Sequence, residues 1–188
     1  MNARLLLATA FVFAATSAHA GLFEDDAPPP PVCAKGASFE TAFSPKDDVA
    51  AHVVAEILSA KHNVRVAAKT FVSKPVSEAL LKAYRQGRTV SVVLDNKSNQ
   101  TGYSASQFLL TMGVGAHITQ GNTGLAGGYI LIDDTDVILG NIAGLPDEND
   151  EKTTWSQVLI VHNAPELAAT YLADWNTVWA ASAVMKEK

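Results

Sequence analysis

From Ser38 onward the chain alternates short apolar strands with amphipathic helices, and this alternation constrains the fold more than any other feature. Phe39, Thr41 and Phe43 alternate with Ser38, Glu40 and Ala42, a period of two that predicts a short half-buried strand. Ser44-Pro45 interrupts it. Asp47 and Asp48 are expected in the first turn of a helix, where negative charge meets the positive end of the helix dipole. That helix is predicted to run to about Ala60 with Val53, Val54, Ile57 and Leu58 along one face. Asn63 to Ala68 reads as the next strand. Pro75 opens a second helix carrying Val76, Ala79, Leu80 and Ala83 on one face, and Gly87 ends it. Val90 and Val92 to Leu94 make a nearly continuous apolar strand, the pattern of a strand covered on both faces.

Ser104 to Met112 is predicted as a third helix and Val114 to Ile118 as a fourth strand. A loop rich in glycine and asparagine follows, from Gln120 to Gly128. Tyr129 to Ile132 and Val137 to Leu139 read as two strands joined by the acidic turn Asp133 to Asp136, and Gln157 to Val161 as another. Ala164 to about Ala181 is a closing helix whose Leu167, Tyr171, Leu172, Trp175 and Val178 recur at helical spacing, a stripe read as core packing. Repeated strand–helix units predict an α/β domain: a mixed, mostly parallel central sheet flanked by helices.

Ahead of this domain, Arg4 is followed by an uncharged apolar run from Leu5 to Thr16 and then by Ala18-His19-Ala20. This is the grammar of a signal peptide over residues 1–20, cleaved after Ala20; the run is too short to cross a bilayer. Residues 21–37 hold Glu24-Asp25-Asp26 and Pro28 to Pro31 and are expected to form an extended, poorly ordered leader. The domain is then 38–184, in a periplasmic or secreted protein with no membrane span. The whole chain carries 14 lysines and arginines against 19 acidic residues, and cleavage would remove Arg4 from the smaller group. A net negative protein gains little from the sequence-independent attraction on which nucleic-acid binders draw.

The one cysteine, Cys33, cannot form an internal disulfide. No CxxC, HExxH or Cys/His cluster is present, so neither a metal site nor a cofactor is expected. Asp133, Asp134 and Asp136 lack the spacing and closing glutamate of a calcium loop and read as a solvated hairpin turn. Gly124, Gly127 and Gly128 do not open a helix, which weakens a phosphate-cradle reading. Ser104 is read as a helix cap.

Several blocks resemble one family in order and spacing. They are Phe43-Ser44-Pro45, Val66 through Pro75, Val92-Val93-Leu94-Asp95-Asn96-Lys97-Ser98-Asn99, Tyr103-Ser104-Ala105, Pro165-Glu166-Leu167 and Tyr171 through Trp175. Together they resemble the small secreted endonuclease branch of the phospholipase D superfamily, over about Phe39 to Trp179. The resemblance implies a phospholipase D-type sandwich and metal-free phosphodiester chemistry. In members of that family a His-x-Lys-x4-Asp motif is followed by Gly-Ser/Thr-x-Asn and then Glu. There, the resemblance implies, one histidine attacks phosphorus, a second protonates the leaving oxygen, and Lys and Asn hold the phosphate oxygens. Members with a single motif pair as homodimers to assemble one site, so a homodimer is implied here.

Tyr129 to Asp133 fixes the register of that motif. The nucleophile position is Ala126 and the Lys position Gly128. Gly140 matches, the Ser/Thr position is Asn141, the Asn position Ala143, and the Glu position falls at about Ser156. Of the motif's polar residues only Asp133 survives. Beyond His19 the histidines are His52, His62, His117 and His162; none has Lys two residues on or Asp seven on. His117, in the strand before the loop, is nearest the site by sequence and reads as a packing residue. The expectation is a non-catalytic exported binding or assembly module whose partner or phosphodiester ligand the sequence leaves open. The alternative is an active phosphodiesterase, nuclease or phospholipase, with an unrecognised or partner-supplied site.

Overall fold

The computed structural model describes residues 35–69, 72–96, 105–120, 124–125, 127–142 and 155–185. The expected signal peptide, the proline run, Cys33, Ser104, Ala126 and Ala143 lie outside them. In chain order the elements are β1 (Ser38–Phe43), α1 (Val49–Ser59), β2 (Asn63–Ala68), α2 (Lys74–Arg85), β3 (Thr89–Leu94), α3 (Ala105–Thr111) and β4 (Ala116–Thr119). They continue with β5 (Tyr129–Ile132), β6 (Asp136–Gly140), β7 (Gln157–His162), α4 (Pro165–Ala180) and β8 (Ser182–Val184).

All eight strands join one sheet in the order β1-β7-β6-β5-β2-β3-β4-β8. The expected α/β class, a mixed central sheet flanked by helices, holds. Its directions need a correction. β1, β2, β3, β4 and β6 run one way, but only β2–β3 and β3–β4 are parallel neighbours. The remaining pairings are antiparallel. Helical crossovers link β2 to β3 and β3 to β4. A tight turn links β5 to β6, and a turn of that kind can only reverse the chain.

The sheet buries both faces. Val64, Val66, Val92, Ile130, Ile138 and Ile160 point to one side, against Val53 and Ile57 of α1 and Val76 and Leu80 of α2. Alternate residues Ala67, Val93, Leu131 and Val137 point to the other, against Ala168 and Trp175 of α4. Period two in the strands and 3.6 in the helices is what brings these sets together. Each fully buried Ile or Leu contributes about 1.5–3 kcal/mol.

Three local readings are corrected. The acids placed in the first turn of α1 stand just before it: Asp48 is the N-cap, accepting from the Ala51 N–H at 2.7 Å, while Asp47 accepts from the Phe43 N–H at 3.0 Å. β1 is half-buried, but by its small face. Ala42 is fully buried, whereas Phe39 and Phe43 are 69% and 49% exposed. α1 packs on the Ala42 side, and α4 packs chiefly on β5, β6 and β8. Finally, β8 had no counterpart in the sequence reading; it pairs with β4 through Ser182–Thr119 and Val184–His117.

Candidate functional site

The parallel strands β2 and β3 finish side by side at Ala68 and Leu94, with the end of β4 beside them. Ligand crevices of α/β sheets form at such carboxyl ends. Antiparallel β5 brings its first residues to the same rim, since Tyr129 lies opposite Ala67. β6 delivers Gly140 and Asn141 there, and β7 delivers Ser156 and Gln157. The hairpin alternation thus gathers most positions of the sequence motif at one rim.

What those positions hold is mostly backbone. A Cβ at Gly128 would lie 2.9 Å from the Ala67 carbonyl oxygen and 3.3 Å from Ala68 Cα. The position corresponding to the motif lysine therefore has no room for a side chain without moving β2. Gly140 has φ +131°, and a Cβ there would meet the Gln157 carbonyl at 2.3 Å. This glycine is required by conformation and by space alike. Asn141 donates its N–H to the same carbonyl at 3.2 Å. Ser156, at the glutamate position, is buried; its hydroxyl lies 2.8 Å from that of Ser44, which also accepts from the Ser156 N–H at 2.8 Å. The Ser44 N–H donates back to the Ser156 carbonyl at 3.0 Å. Both serines are thus used in fastening the end of β1 to the start of β7.

Asp95 is the buried carboxylate of this rim. Its Oδ2 accepts from the Leu125 N–H at 3.1 Å, and a Cβ on Gly124 would come within 2.7 Å of that oxygen. The Gly124–Leu125 segment is therefore laid against Asp95 as a backbone partner. Next to it the Asn96 N–H donates to Thr119 Oγ1 at 3.1 Å. The sequence reading singled out Asp95 and Asn96 within a family block but gave neither a structural task. A buried hydroxyl at the end of β4, Thr119, was the signal it missed.

Asp133 stands elsewhere. It closes the far end of β5, five residues from Gly128, or about 16 Å along an extended strand. Asp133 and Asp134 both have positive φ, +50° and +59°, in the hairpin closed by the Thr135 N–H to the Ile132 carbonyl. This is the backbone of the turn type favoured between twisted strands. The Asp133 carboxylate accepts from the N–H groups of Lys61, His62 and Asn63 at 2.7, 2.8 and 2.9 Å. Burial works to raise its pKa, but these N–H groups outweigh it and hold the carboxyl below its ordinary value. The one polar residue of the motif that persists is thus an anchor for the α1–β2 connection.

The histidines divide between packing and the far rim. His117 lies flat on Trp179, with ring centroids 3.6 Å apart, and its Nδ1 is 2.9 Å from Ser182 Oγ. Burial pushes its pKa below the usual histidine value. Its surroundings are those of a packing residue. His62 contributes its backbone to the Asp133 anchor. His52 bonds Glu40 through Nδ1, and His162 lies among Glu40, Glu56 and Asp136. A groove of about 490 Å³ lies between α2 and α3, lined by Leu81, Arg85, Phe108 and Met112 among others.

No family profile matches this chain, and no curated protein matches it in sequence. Solved structures do match in fold. Nuc of Salmonella typhimurium, a phospholipase D family member, superposes with a TM-score of 0.73 at 23% identity, covering 80% of this chain and 99% of its own. NucT of Helicobacter pylori gives a TM-score of 0.66 at 17% identity, covering 79% and 99%. Phosphatidylserine synthase of Haemophilus influenzae gives 0.59 at 10% identity, covering 80% of this chain and 40% of its own.

Proposed function

We propose that this chain, which carries the phospholipase D fold, is an exported, non-catalytic member of that superfamily acting as a binding or assembly module. One observation carries the reading: at Gly128, where the family's phosphate-holding lysine would stand, the β2 backbone already occupies the space of a Cβ. Losing a catalytic side chain leaves a gap that one substitution can refill. Here the gap is closed by backbone. Ser44 and Ser156 satisfy each other at the glutamate position. Asp133 is engaged by three N–H groups at the opposite end of β5.

The energetics agree. A missing general acid or base costs about 10²–10⁴-fold in rate, and here several groups are absent together. Ala126 and Ala143, at the nucleophile and Asn positions, bring no replacement chemistry of their own. Export follows from the signal-like first 20 residues. No helix of the described residues is long and apolar enough to cross a membrane. Pairing as a homodimer is carried over from the resemblance.

The test is the purified chain lacking residues 1–20, given a chromogenic phosphodiester and plasmid DNA, with light scattering for the dimer. No turnover above blank is expected. Turnover that survives stringent purification and vanishes in Lys69→Ala, Asp95→Asn or His117→Ala would overturn the reading and favour the phosphodiesterase alternative. A monomer at micromolar concentration would remove the homodimer.

A further inference from the structure

Opposite the motif rim, on the α1 side of the sheet, the fold assembles side chains that no local motif connects. Glu40 comes from the middle of β1 and His162 from the end of β7. Glu56 and His52 come from α1, four residues apart and so on one helical face. Asp136 opens β6 next to His162, because Val137 and Val161 are direct cross-strand partners one step further in.

We propose that Glu40, Glu56 and His162 bind a divalent transition-metal ion of the zinc type, with His52 the nearest fourth donor and Asp136 orienting the His162 ring. One donor atom from each of the three lies within 4.8 Å of the others. His162 Nε2, the nitrogen left for a metal, is 3.7 Å from Glu40 Oε2, while Glu56 Oε2 approaches the ring on its other edge, 3.7 Å from Nδ1. Donors about 2.0–2.2 Å from a tetrahedral ion are themselves about 3.3–3.6 Å apart. Rotation of the Glu56 side chain toward the Nε2 edge of the ring would bring the three to that spacing. Asp136 Oδ2 lies 3.3 Å from His162 Nδ1. A carboxylate on one ring nitrogen fixes the tautomer and leaves the other nitrogen's lone pair for a metal, which is the usual second shell of a histidine ligand.

Charge points the same way. The ion-pair partners of these carboxylates are imidazoles, His52 for Glu40 and His162 for Glu40, Glu56 and Asp136. Three carboxylates gather about two imidazoles, and a bound cation would offset the repulsion among them. The donors are mixed nitrogen and oxygen, which suits zinc, cobalt or nickel better than the oxygen-seeking magnesium or calcium. Three protein donors also leave a coordination position for His52 or water.

The experiment uses the chain lacking residues 1–20, without a histidine tag and stripped with EDTA. It is titrated calorimetrically with ZnCl₂, CoCl₂ and CaCl₂ and melted in ZnCl₂ or EDTA. One equivalent of zinc should bind, cobalt should give visible bands, and zinc should raise Tm reversibly. His162→Gln and the isosteric Glu56→Gln should each weaken zinc binding by about 100-fold, and Asp136→Asn by about 10-fold. Circular dichroism in EDTA separates lost ligands from lost fold. No binding to the wild-type chain, equal affinity for calcium, or undiminished zinc binding in folded Glu56→Gln would each overturn the site. Should both ligand variants unfold, anomalous scattering at the zinc edge from wild-type crystals decides: an ion away from these residues overturns it.

Discussion

The two rims of the sheet treat their polar groups differently. At the rim where β2 and β3 end, Gly128 and Gly140 admit no side chain, Ser44 and Ser156 bond each other, and Asp95 accepts from the Leu125 N–H. At the opposite rim and the α1 face beside it, Asp133 clamps a connection, Arg65 pairs with Asp134, and Glu40, Glu56 and His162 converge with their charges only partly matched. Both regions are built from the same strands. The second differs in bringing several ionisable side chains together, Glu40, Glu56, Asp136 and His162 among them. A family resemblance directs attention to the first, while the second is where carboxylates and imidazoles meet.

Substitutions can break this contrast, beginning with the most damaging. Gly140→Ala should cost about 3 kcal/mol, because a β-carbon would meet the Gln157 carbonyl and the positive φ disfavours any side chain; urea denaturation reads it. Gly128→Lys, which writes the family lysine back, should cost about 1–3 kcal/mol and restore no phosphodiester cleavage. A stable, active Gly128→Lys variant would show the rim to be open after all. Asp133→Ala should cost about 2 kcal/mol at pH 7, through lost charge-assisted hydrogen bonds.

The Asp133 contribution has a defined pH dependence. Its folded-state carboxyl is held below the ordinary value, so the stabilisation is complete above about pH 4 and is lost as pH falls through the lowered value. The gap between wild type and Asp133→Ala in denaturation midpoints should close in acid. His117→Ala is milder, about 1 kcal/mol for the stacked ring and its hydrogen bond. Because burial depresses the His117 pKa, the unfolded chain takes up the proton first. Its contribution is present above about pH 6.5 and declines below. The variant's stability should be flatter between pH 7 and pH 5, about the range where a free imidazole titrates. Smallest of all is Phe43→Ser, within about 0.5 kcal/mol, since the ring is half in solvent. A larger loss would mean that something covers this face.

Periodicity carried the sequence reading a long way. Seven of the strands and all four helices stand where apolar spacing placed them, within a few residues at their ends. β8 escaped because three residues after a helix are too few to display a period. β1 was legible as a strand, but its buried face was not. Hydrophobicity favours Phe39 and Phe43, yet burial depends on which face a helix covers, and that is a property of the assembled sheet. That Asp133 anchors backbone was not legible, since its partners are some 70 residues away in sequence. Glu40, Glu56 and His162 were invisible to any test for local metal motifs, because only the β1–β7 pairing and the course of α1 bring them together.

The pairing of β1 also sets an order of events. Ser38 finds its ladder partner at His162, over a hundred residues later, so β1 emerges from the ribosome long before β7 exists to receive it. Contacts of such long range slow folding. In the interval β1 is an unpaired strand with two phenylalanines along it, the kind of segment that sticks to others of its sort. Slow closure is an advantage to a chain that must be threaded unfolded before it folds, and a hazard to one that is not escorted.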